Sequence, residues 1–241
     1  MEHVAIILFF FTMTASFVQR VSGFGFGIVV MTLLPALMPT YGEATALSGS
    51  LAIVAAAITA IKMRRHLNWS MLWPILLAFT FVSLGAIHVV ALLYSDTLKR
   101  ILGAVLVLTS LYFFFLDGKF RIRPSRTMGL SMGVLSGLMG GLFAMQGPPA
   151  VVYFISSTKT KEEYTALTQW YFFLGNSLMT LFRWREGFVT ANVGKLWLVG
   201  CAGVLLGLFL GSKLYQYISV RWLRRAVYLV LLVSGVIACF S

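Results

Sequence analysis

Polar positions interrupt this chain only at wide intervals. Apolar segments cover residues 4–38, 43–61, 70–94, 98–116, 127–157, 164–183, 193–213 and 222–240. Several approach or exceed the ~20 apolar residues that cross a ~30 Å hydrocarbon core. None alternates polar and apolar residues as the strands of a membrane barrel do, so the segments predict helices. The first and fifth are too long for one crossing, and glycine or proline interrupts them at Gly23–Gly27 and at Gly147-Pro148-Pro149. Short helices are expected to restart after these breaks, near Ile28 and near Ala150. The other six segments read as plain spans.

The pattern also repeats. "EATALS" at 43–48 returns as "EYTALT" at 163–168, an offset of 120 residues that also places Ser16 on Ser136 and Gly27 on Gly147. Further on, Leu84-Gly85 parallels Leu206-Gly207, and Lys99-Arg100 parallels Arg224-Arg225. Ordered matches of this kind predict two copies of one unit, an interrupted segment followed by three spans. The first copy covers 1–117, a basic loop covers 118–126, and the second copy covers 127–241, together making one membrane domain.

Loop charge gives the copies a relative orientation. If all eight segments cross, the loop lysines and arginines divide 10 to 8 between the two faces. If segments one and five enter and return, one face takes 13 and the other 5. Only the second division shows the excess expected of a cytoplasmic face. The copies are therefore expected to be inverted, each led by a re-entrant, interrupted helix; a single crossing by segment one stays open, because no loop charge precedes Arg20 to decide it.

Composition narrows the function. With 59% hydrophobic and 11% charged residues, the chain is not an ordinary soluble domain. A net charge of +12 would point to nucleic acid in a soluble protein. Here the basic residues cluster in short loops, as orientation signals and contacts to anionic lipid do, so no nucleic acid is expected. The opening "MEHVAIILFFFTM" has no Lys or Arg before its apolar run, and is expected to stay as an integral segment rather than act as a signal peptide. Cys201 and Cys239 lie in apolar runs and make no disulfide or metal pattern. The acids all lie in loops or at segment ends, and the histidines do not cluster. That argues against a membrane-embedded metalloenzyme or a carboxylate proton relay, so neither enzymatic activity nor a cofactor or metal is expected. His88 is the one titratable candidate inside a span, and it reads first as a helix-packing residue.

The candidate chemistry lies at the interruptions. Irregular backbone at membrane depth persists only when buried in protein or lining a polar cavity. Inverted repeats whose broken helices meet near the midplane are a common transporter design. Arg20 reads as the one basic residue outside the loops, and an ionisable residue in a span marks function by default. Thr12, Ser16, Arg20 and Gly23 share a helical face and are expected to give the guanidinium a polar corridor. Gly23, Gly25 and Gly27 allow the backbone to turn close to a ligand. At the second break, Gln146, Gly147 and Pro148 stand at a helix start whose N–H groups suit an anion, with Gln146 adding a side-chain donor. Thr165, Gln169, Asn176, Thr180 and Arg183 form a polar stripe on segment six that fits helix packing or pore lining equally. Glycine recurs at every fourth residue from Gly129 to Gly141 and from Gly203 to Gly211, the small-residue spacing of closely packed membrane helices. "GFGFGI" is not a nucleotide-binding fingerprint, because its spacing is wrong and no strand precedes it.

"SGFGFGIVVMTLLPAL", followed by "HLNWS", and "GVLSGLMGGLFAMQGPPAVVYF" resemble the paired motifs of the TauE/SafE family of sulfite-exporter-type permeases. The resemblance spans nearly the whole chain. It departs at Ala144-Met145-Gln146, where relatives carry more glycine. It implies cargo drawn from small sulfur-containing anions such as sulfite and sulfonates.

The reading is thus an all-α polytopic membrane protein of the bacterial inner membrane that exports a small anion. The expected binding residues are Arg20, Gly23, Gly25, Gly27, Gln146, Gly147, Pro148, Gln169 and Asn176. The expected partners are a small organic or inorganic anion and the lipid bilayer, with homo-oligomer formation left open. An anion channel and a non-transporting membrane enzyme or assembly subunit remain as alternatives.

Overall fold

A computed structural model describes residues 2–116, 123–214, 217 and 220–240. Most of the basic connecting loop lies outside the described residues. The helices are α1 (Glu2–Ser22), α2 (Phe26–Met31), α3 (Leu34–Leu37), α4 (Tyr41–Lys62), α5 (Trp69–Leu92), α6 (Ser95–Leu116), α7 (Arg126–Phe143), α8 (Gly147–Ser157), α9 (Lys161–Arg185), α10 (Ala191–Leu214) and α11 (Val220–Phe240). Among them α1, α4, α5, α6 and α10 are long and apolar enough to cross a membrane. The protein is a multi-pass, all-α membrane protein.

Both long segments break where the sequence marks them, with one adjustment. The second break falls at Ala144–Gln146, so Gly147-Pro148-Pro149 form the first turn of α8 rather than the interruption itself. Proline fits there because the first helical N–H groups have no intrahelical partner to lose. The restarted helices begin at Phe26 and Gly147, slightly earlier than expected. The repeated sequence also has a shared structural meaning. Thr40 and Thr160 each cap a helix, accepting from Glu43 N at 3.1 Å and from Glu163 N at 3.2 Å. Such a cap satisfies an N–H that the helix leaves open.

The helix pairings fall into matching sets. Helix α1 packs on α10 as α7 packs on α5, and α4 on α10 as α9 on α5, while α4 pairs with α9 and α6 with α11. The glycine stripes are the seams. A Cβ on Gly203 would strike Phe9 O and Thr12 Oγ1, one on Gly207 would strike Met13 O and Ser16 Oγ, and one on Gly211 would lie 2.9 Å from Arg20 Cβ. Gly133, Gly137 and Gly141 face Ile75, Phe79 and Ser83 in the same progressive way. Backbones approach this closely only without a side chain between them. Thr12 and Ser16 therefore belong to a packed seam. Thr12 donates to Gly200 O across it at 3.2 Å, and the expected polar corridor along this face is not present.

These contacts also give direction. Residues advance together along α1 and α10, and along α5 and α7, so each pair is parallel. Gly49 faces Thr180 and Arg183 while Gly42 faces Phe188, so α4 and α9 are antiparallel. Gln19–Ser22 of α1 with Gly23 just beyond it, and Ala55 and Thr59 of α4 with Met63 just beyond its end, border the same cavity. Both helices thus end at one face of the bundle, and residues 23–40 return across it between them. Helix α8 returns in the same way after α7. Lys62, Arg64, Arg65, Lys159, Lys161 and Lys213 gather at this face.

Candidate functional site

At the first break, Ser22 Oγ lies 2.8 Å from Val18 O and 2.6 Å from Phe24 O and can donate its one proton to either, closing the end of α1. Gly23 and Gly25 have φ of 88° and 107°, a region in which side chains are strained. At the second break, Ala144 takes φ 55° without being glycine. Met145 N donates to Met139 O at 3.2 Å, the long backbone bond that ends many helices. Tyr171 OH donates to Ser136 Oγ at 2.6 Å, and Ser136 in turn donates to Gln146 O, which pins this tip from α9.

The two tips touch. A Cβ on Gly27 would overlap the Ala144 carbonyl, so the chain can pass there only as glycine. Around the contact lies a central cleft of about 20 Å³, bordered by Gln19, Gly25, Gly27, Gln146, Gly147 and Asn176 among others. That is room for a water and too little for an oxyanion. Gln146 Oε1 is buried with no hydrogen-bond partner, and Gln146 Nε2 reaches Phe172 O at 3.4 Å. Asn176 is held by donating to Phe172 O at 2.8 Å.

On the basic side the cleft adjoins a vestibule of about 420 Å³, bordered by Arg20, Gly23, Thr59, Lys161, Gln169 and Ser212. Arg20 is half-buried in the last turn of α1, with its Nε donating to Ser212 Oγ at 2.7 Å and its Nη1 to Thr59 Oγ1 at 3.5 Å. These partners are neutral, and no carboxylate lies at salt-bridge distance from Arg20 among the described residues. Gln19 Nε2 donates to Gln169 Oε1 at 3.3 Å, and Gln169 Nε2 donates to Gly23 O at 2.9 Å. This amide pair stands between vestibule and cleft, since Gln19 borders both. Toward the opposite face, Thr40, Tyr41, Glu43, Phe188 and Thr190 border a recess of about 300 Å³.

Eight of the nine expected residues therefore line two adjoining spaces. Arg20, Gly23 and Gln169 are in the vestibule, while Gly25, Gly27, Gln146, Gly147 and Asn176 are in the cleft. Pro148 is buried in the first turn of α8 and lines neither. Arg20 is not the only basic residue within the bundle. Arg183, expected at a segment end, is fully buried inside α9, and its Nη2 donates to Gly140 O at 2.8 Å and Gly141 O at 3.3 Å. Its sequence signal was the stripe it shares with Thr180 and Asn176. Gln19, next to Arg20, had none of its own.

The sequence model described as sulfite exporter TauE/SafE matches residues 8–237. The chain belongs to the TauE/SafE family. One curated relative, from Cupriavidus necator strain H16, is named "Probable sulfite/organosulfonate exporter TauE". It is 24% identical over 224 residues, which cover 91% of this chain and 88% of that protein. No solved structure matches the chain. Tips, vestibule and recess all lie within the span of the family match.

Proposed function

We propose that this protein is a permease that exports a small anion, with a sulfite-like or sulfonate group as the charged end of its cargo. The observation that carries this reading is Arg20, a guanidinium without a carboxylate partner, at the border of a vestibule that leads to two touching hairpin tips. A planar guanidinium matches two oxygens of an oxyanion. Lys161 in the same cavity raises the local anion concentration. The name of the C. necator relative supports the cargo class.

The narrow cleft supports a carrier over an open channel, because spaces on both faces are large enough for cargo while the centre is not. The shared threonine caps, the exchanged helix pairings and the antiparallel α4 and α9 support reading 1–117 and 127–241 as inverted copies. Such copies can rock against each other to alternate access. Export needs no coupling ion in this scheme. An interior negative by about 100 mV drives a monovalent anion outward by roughly 2.3 kcal/mol, which is more than tenfold in concentration.

The test is flux of sulfite and methanesulfonate in proteoliposomes holding equal amounts of folded protein. Wild type should show saturable flux and counterflow. Arg20→Lys keeps the charge but loses the fork, and should weaken apparent affinity while retaining some flux. Arg20→Ala should carry little. Unsaturable flux without counterflow would make the protein a channel, and wild-type flux in Arg20→Ala would remove Arg20 from the path.

A further inference from the structure

Arg183 is the least explained charge in the molecule. It is 0% exposed, and its two bonds to the end of α7 use only Nη2. Nε and Nη1 have no hydrogen-bond partner, and no carboxylate lies within salt-bridge distance among the described residues. Burying a cation without a counter-ion is strongly unfavourable. Its surroundings are equally unsatisfied. The Thr180 hydroxyl, which faces Gly49 together with Arg183, is buried without a partner, and so is that of Tyr41 at the border of the recess. Gly49 leaves open the place where a Cβ would stand, with Arg183 Nη1 at 2.8 Å, Thr180 Oγ1 at 3.4 Å and Asn176 Oδ1 at 3.8 Å around it.

The cluster sits between two spaces already described. Asn176 borders the central cleft, and Tyr41 borders the recess on the far face. It also has a counterpart. At the repeat offset, Gly140 corresponds to Arg20, and Arg183 corresponds to Met63, which borders the Arg20 vestibule. Arg20 reaches from the end of α1 to Thr59 near the end of α4. Arg183 reaches from the end of α9 back to Gly140 near the end of α7. The same junction thus receives one guanidinium in each half, from opposite helices. One is half-exposed to a vestibule while the other is sealed.

We propose that Arg183, with the hydroxyls of Tyr41 and Thr180, forms a second oxyanion site, the counterpart of Arg20 on the opposite side of the hairpin tips. The proposal rests on the permease reading above. The cargo's oxygens accept from Nε and Nη1, which supplies the missing counter-ion. The site becomes accessible from the recess when the α4–α9 seam parts on that side.

The test is half-saturation for sulfite and for methanesulfonate, measured separately from each face of proteoliposomes with fixed protein orientation. Arg183→Lys removes the fork, and should raise half-saturation at the far face ~5-fold or more while the vestibule face stays within ~2-fold. Arg20→Lys should do the reverse. Gly49→Ala puts a methyl group 2.8 Å from Nη1, so the guanidinium must shift within its site while Arg183 itself is retained. It should reproduce the far-face effect at a wild-type melting temperature, and it decides the matter if Arg183→Lys does not fold. Wild-type half-saturation at both faces in Gly49→Ala overturns the second site and leaves the permease standing. Equal weakening at both faces with a lowered melting temperature makes Arg183 a structural prop, which also overturns it. If wild type carries neither anion, the permease reading falls, and this site falls with it.

Discussion

Gly27→Ala tests whether the two tips meet. Its new methyl would overlap the Ala144 carbonyl and come within 3.5 Å of the Ala144 carbonyl carbon. The carbonyl has little freedom to retreat. Ala144 is committed to φ 55°, Met145 N is bonded to Met139 O, and Ser136 holds the next carbonyl at Gln146. The tips must then separate, and overpacking of this kind costs about 1–3 kcal/mol. Alanine recovers up to about 1 kcal/mol of helix propensity in α2. With the full propensity gain subtracted, the net loss is about 0–2 kcal/mol, or a fall of up to roughly 8 °C in melting temperature for a chain of this length. Flux should fall further than stability, because the cleft lies at this contact. Gly85→Ala is the control. Nothing lies within 4 Å of its Cβ, so it should raise stability by about 0.5–1 kcal/mol and leave flux unchanged. The readouts are thermal unfolding of purified protein and anion flux at matched protein content. Wild-type stability and flux in Gly27→Ala would mean that the tips do not touch, and the site built on them would be wrong.

Single cysteines in a background without Cys201 and Cys239 should place Arg65→Cys and Lys159→Cys on the cytoplasmic face and Lys195→Cys on the other. Opposite faces for 65 and 159 would show that α7 and α8 together cross the membrane, and the inverted-copy reading would fail. Gly207→Leu and Gly137→Leu should prevent assembly rather than alter substrate affinity, because each side chain enters a backbone seam. Normal expression and thermal stability in both would place the glycine stripes against lipid.

The spans were legible because a membrane leaves long apolar runs no other structure. The glycine seams were legible because a four-residue spacing places small residues on one side of a helix whatever its partner. Helix α9 was harder. It falls outside the five helices that qualify as spans by length and composition, because it turns Gln169, Asn176 and Arg183 inward. Thr12 and Ser16 lie on the face of α1 that bears Arg20, as expected, but a helical face does not reveal whether it meets a cavity or a neighbour. Here it met the glycines of α10. Arg183 was misread because it lies at the end of an apolar run, where a basic residue ordinarily reaches water. Its burial depends on the C-terminal carbonyls of α7, more than 40 residues away in sequence, and a local pattern carries no record of that pairing.

The α1–α10 and α5–α7 seams are built alike, but the charges at the two ends of the bundle differ. In the α5–α7 seam the glycines are on α7, which carries a tip. In the α1–α10 seam they are on α10, and the tip-bearing α1 keeps its side chains. Gly211 is therefore what admits the stem of Arg20, whose Cγ lies 3.0 Å from where its Cβ would be, and it lets the guanidinium reach Ser212 and Thr59. The resulting vestibule contains Arg20 and Lys161, and Lys62, Arg64 and Arg65 lie nearby at the same face. The far recess is bordered by the carboxylate-bearing Glu43, and Glu186 pairs with His88 at 3.2 Å near that face. Under the proposed permease reading, an anion is attracted where the loops are basic and meets a carboxylate at the far recess. A symmetric scaffold with identical charge at both ends would bind cargo equally well from either side. On the permease reading proposed above, the differences between the two ends remove that equality and should lower half-saturation at the basic face relative to the other, while the direction of net flux follows the electrochemical gradient.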